Sequence, residues 1–165
     1  MDFSLDSDLG LIAEAVAKRC SDFDDDYWTA KDEDHEFPWE FYRAMADDGW
    51  VGIAIPTEFG GGGRGIAEAA TVLHGIALSG AAMNGCSAVH TTIFGLEPVR
   101  KHGNRELCAE MLPRAAAGDL HVAFGVTEAD AGTDTARIST RAERTPDGWS
   151  ISGKKIWSTK GLESD

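Results

Sequence analysis

Apolar positions in the first two-thirds of the chain recur at helical steps. Leu9, Ile12, Val16, Cys20 and Phe23 lie three and four residues apart, which puts them on one face of a first helix. Pro38 stands where a second helix begins, with Phe41 and Met45 turned inward and Gly49 as its stop. Ile66, Ala69, Leu73 and Ile76 form the stripe of a third. A fourth, about Ala81 to His102, is rich in small residues (Ala82, Gly85, Ser87, Ala88, Gly95) that permit close helix approach. Its Pro98 predicts a kink or an interruption. Asn104 caps a fifth helix, with Leu107, Cys108, Met111 and Leu112 inward and Gly118 at its end.

From Leu120 the period shortens. His121 to Val126 is a short β-rich run, and Ala136 to Arg144 alternates around Ile138 and Thr140. Thr145-Pro-Asp-Gly148 is a turn signal, and Trp149–Ile151 and Lys155–Thr159 read as two further strands around Gly153. The expected fold class is therefore α+β: an N-terminal all-α helical domain over residues 1–119, then the first strands of a β-barrel-like domain over 120–165. A few strands alone would leave unpaired edges and half a core. The pattern thus predicts an N-terminal fragment of a longer protein.

Charge narrows the partners. The formal net charge is -13, a field that repels nucleic acid and anionic membrane surfaces. No apolar run approaches the ~20 residues of a membrane span, and the acidic start of the chain is unlike a secretory signal. Cys20, Cys86 and Cys108 are odd in number and widely spaced. They fit neither a disulfide framework nor a metal site and predict buried thiols in a reducing cytoplasm. Much of the acid lies between Asp22 and Asp34, read as a solvated helix end and loop. The glycine that a calcium loop needs at its sharp turn is missing between Cys20 and Glu36. Gly60 to Gly63 reads as a flexible inter-helix loop, because it lacks the lysine and hydroxyl pair of a phosphate loop.

The chemistry-bearing residues lie in two blocks. Phe124-Gly-Val-Thr-Glu-Ala-Asp-Ala-Gly-Thr-Asp134 resembles the acyl-CoA dehydrogenase signature, in which Thr-Glu-Pro is followed by Ala-Gly-Ser-Asp. Gly153-Lys-Lys-Ile-Trp-Ser-Thr159 is similar to that family's Gly-x-Lys-x-Trp-Ile-Thr strand. Gly49 to Gly61, Lys101-His-Gly103 and Leu112-Pro-Arg114 also resemble family segments, in the same order. Ala129 departs from the usual proline, Thr133 from serine, Ser158 from an apolar residue and Lys160 from asparagine.

The resemblance implies an FAD enzyme that oxidises an acyl-CoA thioester between its α and β carbons and passes electrons to an electron transfer flavoprotein. It implies a homotetramer, while the cytoplasmic location and the lack of membrane insertion are the expectations drawn above from the thiols and the hydropathy. Phe124, Val126, Thr127, Thr133, Trp157, Ser158 and Thr159 would bind the cofactor, with Val126 and Thr127 at the pyrimidine edge of the flavin. Trp157 would lie beside the isoalloxazine ring, Thr159 near N5, and Thr133 against the acyl-CoA. The catalytic glutamate of the family belongs to a later helical domain, so no catalytic residue is expected here. Glu128 is expected to hold the loop or the domain interface, and Asp134 to order its turn. An acyl-CoA oxidase, a flavin monooxygenase or a non-catalytic relative on the same scaffold are the alternatives.

Overall fold

The computed structural model describes residues 6–165. Helix α1 (Ser7–Cys20) starts on Asp6, whose carboxylate accepts from Leu9 N–H at 2.9 Å, satisfying a donor with no intrahelical partner. The chain then turns through Ser21 to Phe23, and Asp24 caps a new helix, α2 (Asp25–Glu33). Phe23 therefore falls outside α1. The acidic run, expected as helix end and loop, forms a helix of its own whose single buried residue is Trp28. Its carboxylates suit a helix start because they face the positive end of the dipole.

Helix α3 (Trp39–Asp47) begins after Pro38 and buries Phe41, Tyr42 and Met45 completely. Helix α4 (Ile66–Ala77) buries Ala69, Val72 and Ile76, while Ile66, on its first turn, is left exposed. The expected fourth helix is split. Helix α5 (Ala82–Phe94) ends at Gly95, and α6 (Glu97–His102) restarts with Pro98 in its first turn, where the missing N–H costs no bond. Helix α7 (Arg105–Ala116) is capped by Asn104 as expected; it buries Cys108 and Leu112 but leaves Leu107 partly exposed.

One apolar core joins α1, α3, α4 and α5 through Val16, Phe41, Met45, Val72, Ile76 and Val89. A second, smaller core under α6 and α7 gathers Ile55, Leu96, Cys108, Leu112 and Leu120. Small residues set the helix spacing. A Cβ on Gly85 would lie 2.6 Å from that of Ala81 and 3.2 Å from the Phe41 ring. All three cysteines are buried and free. The glycine loop expected to be flexible is pinned instead. Gly62, Gly63 and Arg64 donate to the carbonyls of Gly52, Ile55 and Ile53 at 2.8–3.0 Å.

After α7 the helical pattern stops, and a hairpin of β1 (Arg141–Thr145) and β2 (Gly148–Ser152) forms around Pro146 and Asp147. Its antiparallel register runs from Arg141 opposite Ser152 to Thr145 opposite Gly148. The α+β class is borne out: helices first, then a two-stranded antiparallel sheet. Two expected strands are absent among the described residues. The runs His121–Val126 and Lys155–Thr159 lie near each other, but a single backbone bond links the second run to the end of the first, from Ile156 N–H to Thr127 O at 2.9 Å just past Val126, and no ladder develops. Trp157 and Lys160 adopt φ of 59° and 60°, which also breaks an extended run. No helix among the described residues is long and apolar enough to cross a membrane.

Candidate functional site

The two sequence blocks meet through residues 126–128 and 155–156. Beside the Ile156–Thr127 bond, Lys155 Nζ donates to Val126 O at 2.9 Å and to Glu128 Oε1 at 3.0 Å. Glu128 is buried and organises the loop. Its backbone exchanges hydrogen bonds with Ala131 at 3.0 and 3.2 Å. Its carboxylate accepts from Ser139 N–H at 2.8 Å, Ser139 Oγ at 2.7 Å, Thr140 N–H at 2.9 Å and the Thr140 hydroxyl. The Ser139 hydroxyl first, then the Thr140 hydroxyl, the Ser139 amide and Lys155, hold this carboxyl far below the usual carboxylate range. Such a group cannot keep a proton taken from a carbon acid near neutral pH. Glu128 holds the loop, as expected.

The outer side of this junction offers donors. Among the described residues the N–H groups of Val126 and Thr127 donate to no protein acceptor, although both residues are half-buried. Unused N–H groups on a fixed loop suit a ligand edge rich in acceptors. Gly125 lies between them and Phe124, and a Cβ there would stand 3.6 Å from Ser158 Oγ, so Ser158 borders the same strip. Phe124 is exposed at its outer edge and meets Phe94 of α5 edge-on, centroids 5.8 Å apart; Phe94 in turn stacks with His90 at 5.3 Å. His90 turns Nδ1 back on its own helix, 3.0 Å from Cys86 O.

The other expected site residues are more dispersed. Trp157 is 85% exposed, and Ser158 and Thr159 are exposed beside it. Thr133 is exposed on the loop after Ala131, and no hydrogen bond among the described residues links it to 124–127 or 157–159. Asp134 accepts from Ala136 N–H at 3.2 Å and so caps a 3-10 turn over Thr135–Arg137.

Sequence reasoning missed the two lysines that organise this region. Lysine reads as a surface residue by default; Lys155 holds the lysine place of the Gly-x-Lys-x-Trp block and Lys160 the place of an asparagine, but neither match says what the ammonium touches. Lys155 bridges the blocks. Lys160 is buried: its ammonium donates to Ala88 O at 3.0 Å and lies 4.7 Å from the Tyr42 ring centroid and 5.2 Å from that of Phe37. Burial pushes it down to about 8. His121 fits between Trp39 and Tyr42, and burial, then the neighbouring Lys160, lowers its affinity for a proton. A groove of about 620 Å³ lies between the start of α4 and the α5–α6 junction, lined by Arg64, Ile66, Phe94 and Arg100 among others. Arg100 is already engaged by Glu97 in two 2.6 Å bonds.

Among the described residues, seven α-helices lead into a β hairpin, with the unengaged amides of Val126 and Thr127 at the junction, an α+β scaffold. Residues 7–119 match the family description "Acyl-CoA dehydrogenase, N-terminal domain", and the chain belongs to the acyl-CoA dehydrogenase family. It is 32% identical to acyl-CoA dehydrogenase FadE12 of Mycobacterium tuberculosis over 149 residues, 88% of this chain and 37% of that protein. Among solved structures, a glutaryl-coenzyme A dehydrogenase in complex with glutaryl-CoA superposes with a TM-score of 0.83 at 28% identity, over 100% of this chain and 42% of that one. A glutaryl-CoA dehydrogenase from Mycobacterium smegmatis in complex with FADH2 does so at 0.81 and 26% identity, over 98% and 41%. This chain thus spans well under half the length of these relatives.

Proposed function

We propose that this chain is the flavin-edge portion of an FAD-dependent acyl-CoA dehydrogenase, with a helical domain over residues 1–119 and the start of the middle β domain over 120–165. The observation that carries the reading is the pair of unengaged N–H groups of the half-buried residues Val126 and Thr127, fixed by Lys155 and Ile156 in a chain of this family. The solved relative that contains FADH2 supports FAD as the group, and the one that contains glutaryl-CoA supports a CoA thioester as substrate.

Bound there, FAD supplies the acceptor for the hydride that leaves the β carbon of an acyl-CoA as it becomes the enoyl-CoA. The protein's part is to bind and orient. Val126 and Thr127 would donate N–H groups, and Thr127 its hydroxyl, to the pyrimidine edge, where reduction concentrates negative charge. Phe124 and Trp157 present exposed aromatic faces for the ring system, and Ser158 and Thr159 present hydroxyls beside it. Thr133 would meet the acyl-CoA. The proton taken from the α carbon needs a base of ordinary carboxylate strength or weaker acidity, which Glu128 is not. That base would come from residues beyond this sequence, in an assembly that is cytoplasmic, tetrameric and served by an electron transfer flavoprotein.

The reading is tested with the chain joined to the remainder of its reading frame. Stoichiometric flavin absorbance and acyl-CoA-dependent dye reduction are expected, and Thr127→Val should lower FAD retention. The 165-residue chain alone should reduce no dye. A full-length protein that purifies colourless and takes up no FAD would end the proposal.

A further inference from the structure

The ammonium of Lys155 serves two acceptors, Val126 O at 2.9 Å and Glu128 Oε1 at 3.0 Å. The first belongs to the peptide unit whose other end is the Thr127 N–H. A peptide carbonyl and its N–H are conjugated through the C–N bond. A positive charge on the oxygen therefore polarises the whole unit and strengthens the N–H as a donor.

The neighbouring peptides are engaged differently. Thr127 O receives only the neutral Ile156 N–H, and the Glu128 N–H on that unit is spent on Ala131. Among residues 126–128, Thr127 is thus the one whose N–H is both unengaged and backed by a charge. Glu128 sits on the same ammonium with the opposite sign. Its own place is fixed by Ser139 and Thr140 and does not depend on Lys155 alone.

We infer that Lys155 is a positioning residue that acts through the Val126–Thr127 peptide: it makes the Thr127 N–H a stronger donor to the negative charge gathered on a reduced flavin, and Glu128 moderates that effect. This rests on the flavin reading above. It gives the two members of one ion pair opposite effects on the cofactor. A purely structural clamp would loosen when either partner is lost and would move both variants the same way.

The test is potentiometric titration of the bound flavin in the full-length holoprotein. Lys155→Met should weaken the preference for reduced over oxidised flavin about tenfold, a shift of about 30 mV to more negative potential for a two-electron couple. Glu128→Gln should shift it in the positive direction, and Lys155→Arg should return it toward the parent value. Shifts of the same sign in Lys155→Met and Glu128→Gln, or none in Lys155→Met with flavin still bound, overturn the inference. Should Glu128→Gln fail to fold, the Thr127 amide resonance in the flavin-free protein carries the decision. Lys155→Met should move its proton upfield and Lys155→Arg restore it, and an unmoved resonance overturns the lever. A parent protein that takes up no FAD overturns the flavin reading itself, which an amide still responsive to Lys155 distinguishes from failure of the lever.

Discussion

In the helical body Val16, Phe41, Tyr42 and Met45 are wholly buried, whereas every residue of β1 and β2 is exposed. The body is held by apolar surface removed from water, in two adjoining clusters. The segment after Leu120 is held mostly by polar attachments: Glu128 on Ser139, Thr140 and Lys155, Lys160 on Ala88, and His121 between two aromatic rings. Apolar burial is non-directional and tolerant, while hydrogen bonds are directional. The difference places shape in one region and orientation of functional groups in the other.

The sharpest way to break this contrast is to remove an aromatic ring from each region. Phe41→Ala deletes a ring that meets Trp28 at 4.9 Å and Phe23 at 5.3 Å, and should destabilise by about 3–5 kcal/mol in urea unfolding. Asn104→Ala, which removes the side-chain acceptor for Leu107 N–H at 2.8 Å, should cost about 1 kcal/mol by the same measurement. A pH effect arises at the contact between the regions. Native Lys160 loses its proton at about 8, but in the unfolded chain it would keep it until near 10.5, so the unfolded state binds more protons between these values. Its contribution should make stability rise with pH across that window, and Lys160→Met should remove that part of the rise in urea midpoints. Smallest of all, Trp149→Ala on the exposed hairpin should change stability by no more than about 0.5 kcal/mol, although it deletes the larger ring. A Trp149 variant as damaging as Phe41→Ala would abolish the distinction.

The same contrast explains what the sequence disclosed. Residues that act through their own backbone were legible: Pro98 interrupts the long helix, Asn104 caps α7, and the Pro146–Asp147 bend turns the hairpin. The apolar faces around Val16, Phe41 and Ile76 followed from periodicity, because burial repeats with the helix. Helix α2 was not legible. It has one buried residue, Trp28, so it leaves no stripe, and its acid reads equally well as a solvated loop. The strands expected at 121–126 and 155–159 failed for another reason. β propensity records the fit to a neighbouring strand, and here one backbone bond takes the place of a ladder. In the candidate site the motif singles out Val126 and Thr127, whose N–H groups are unengaged among the described residues, and the restraining part of Glu128 was legible. The motif contains Lys155 but gave no role to that lysine or to Lys160, because a lysine acquires its role from acceptors far away in sequence.

The seat of Lys160 also imposes an order in time. Its receptor consists of Phe37, Tyr42 and the Ala88 carbonyl, all of which leave the ribosome before the lysine that fills it. The lysine follows Ala88 by 72 residues, roughly 4–14 s of synthesis at ordinary elongation rates. Helices α3 and α5 therefore have time to pack before the ammonium arrives. Folding in that order would fasten the stretch around Lys160 to a surface already formed, as a key follows its lock.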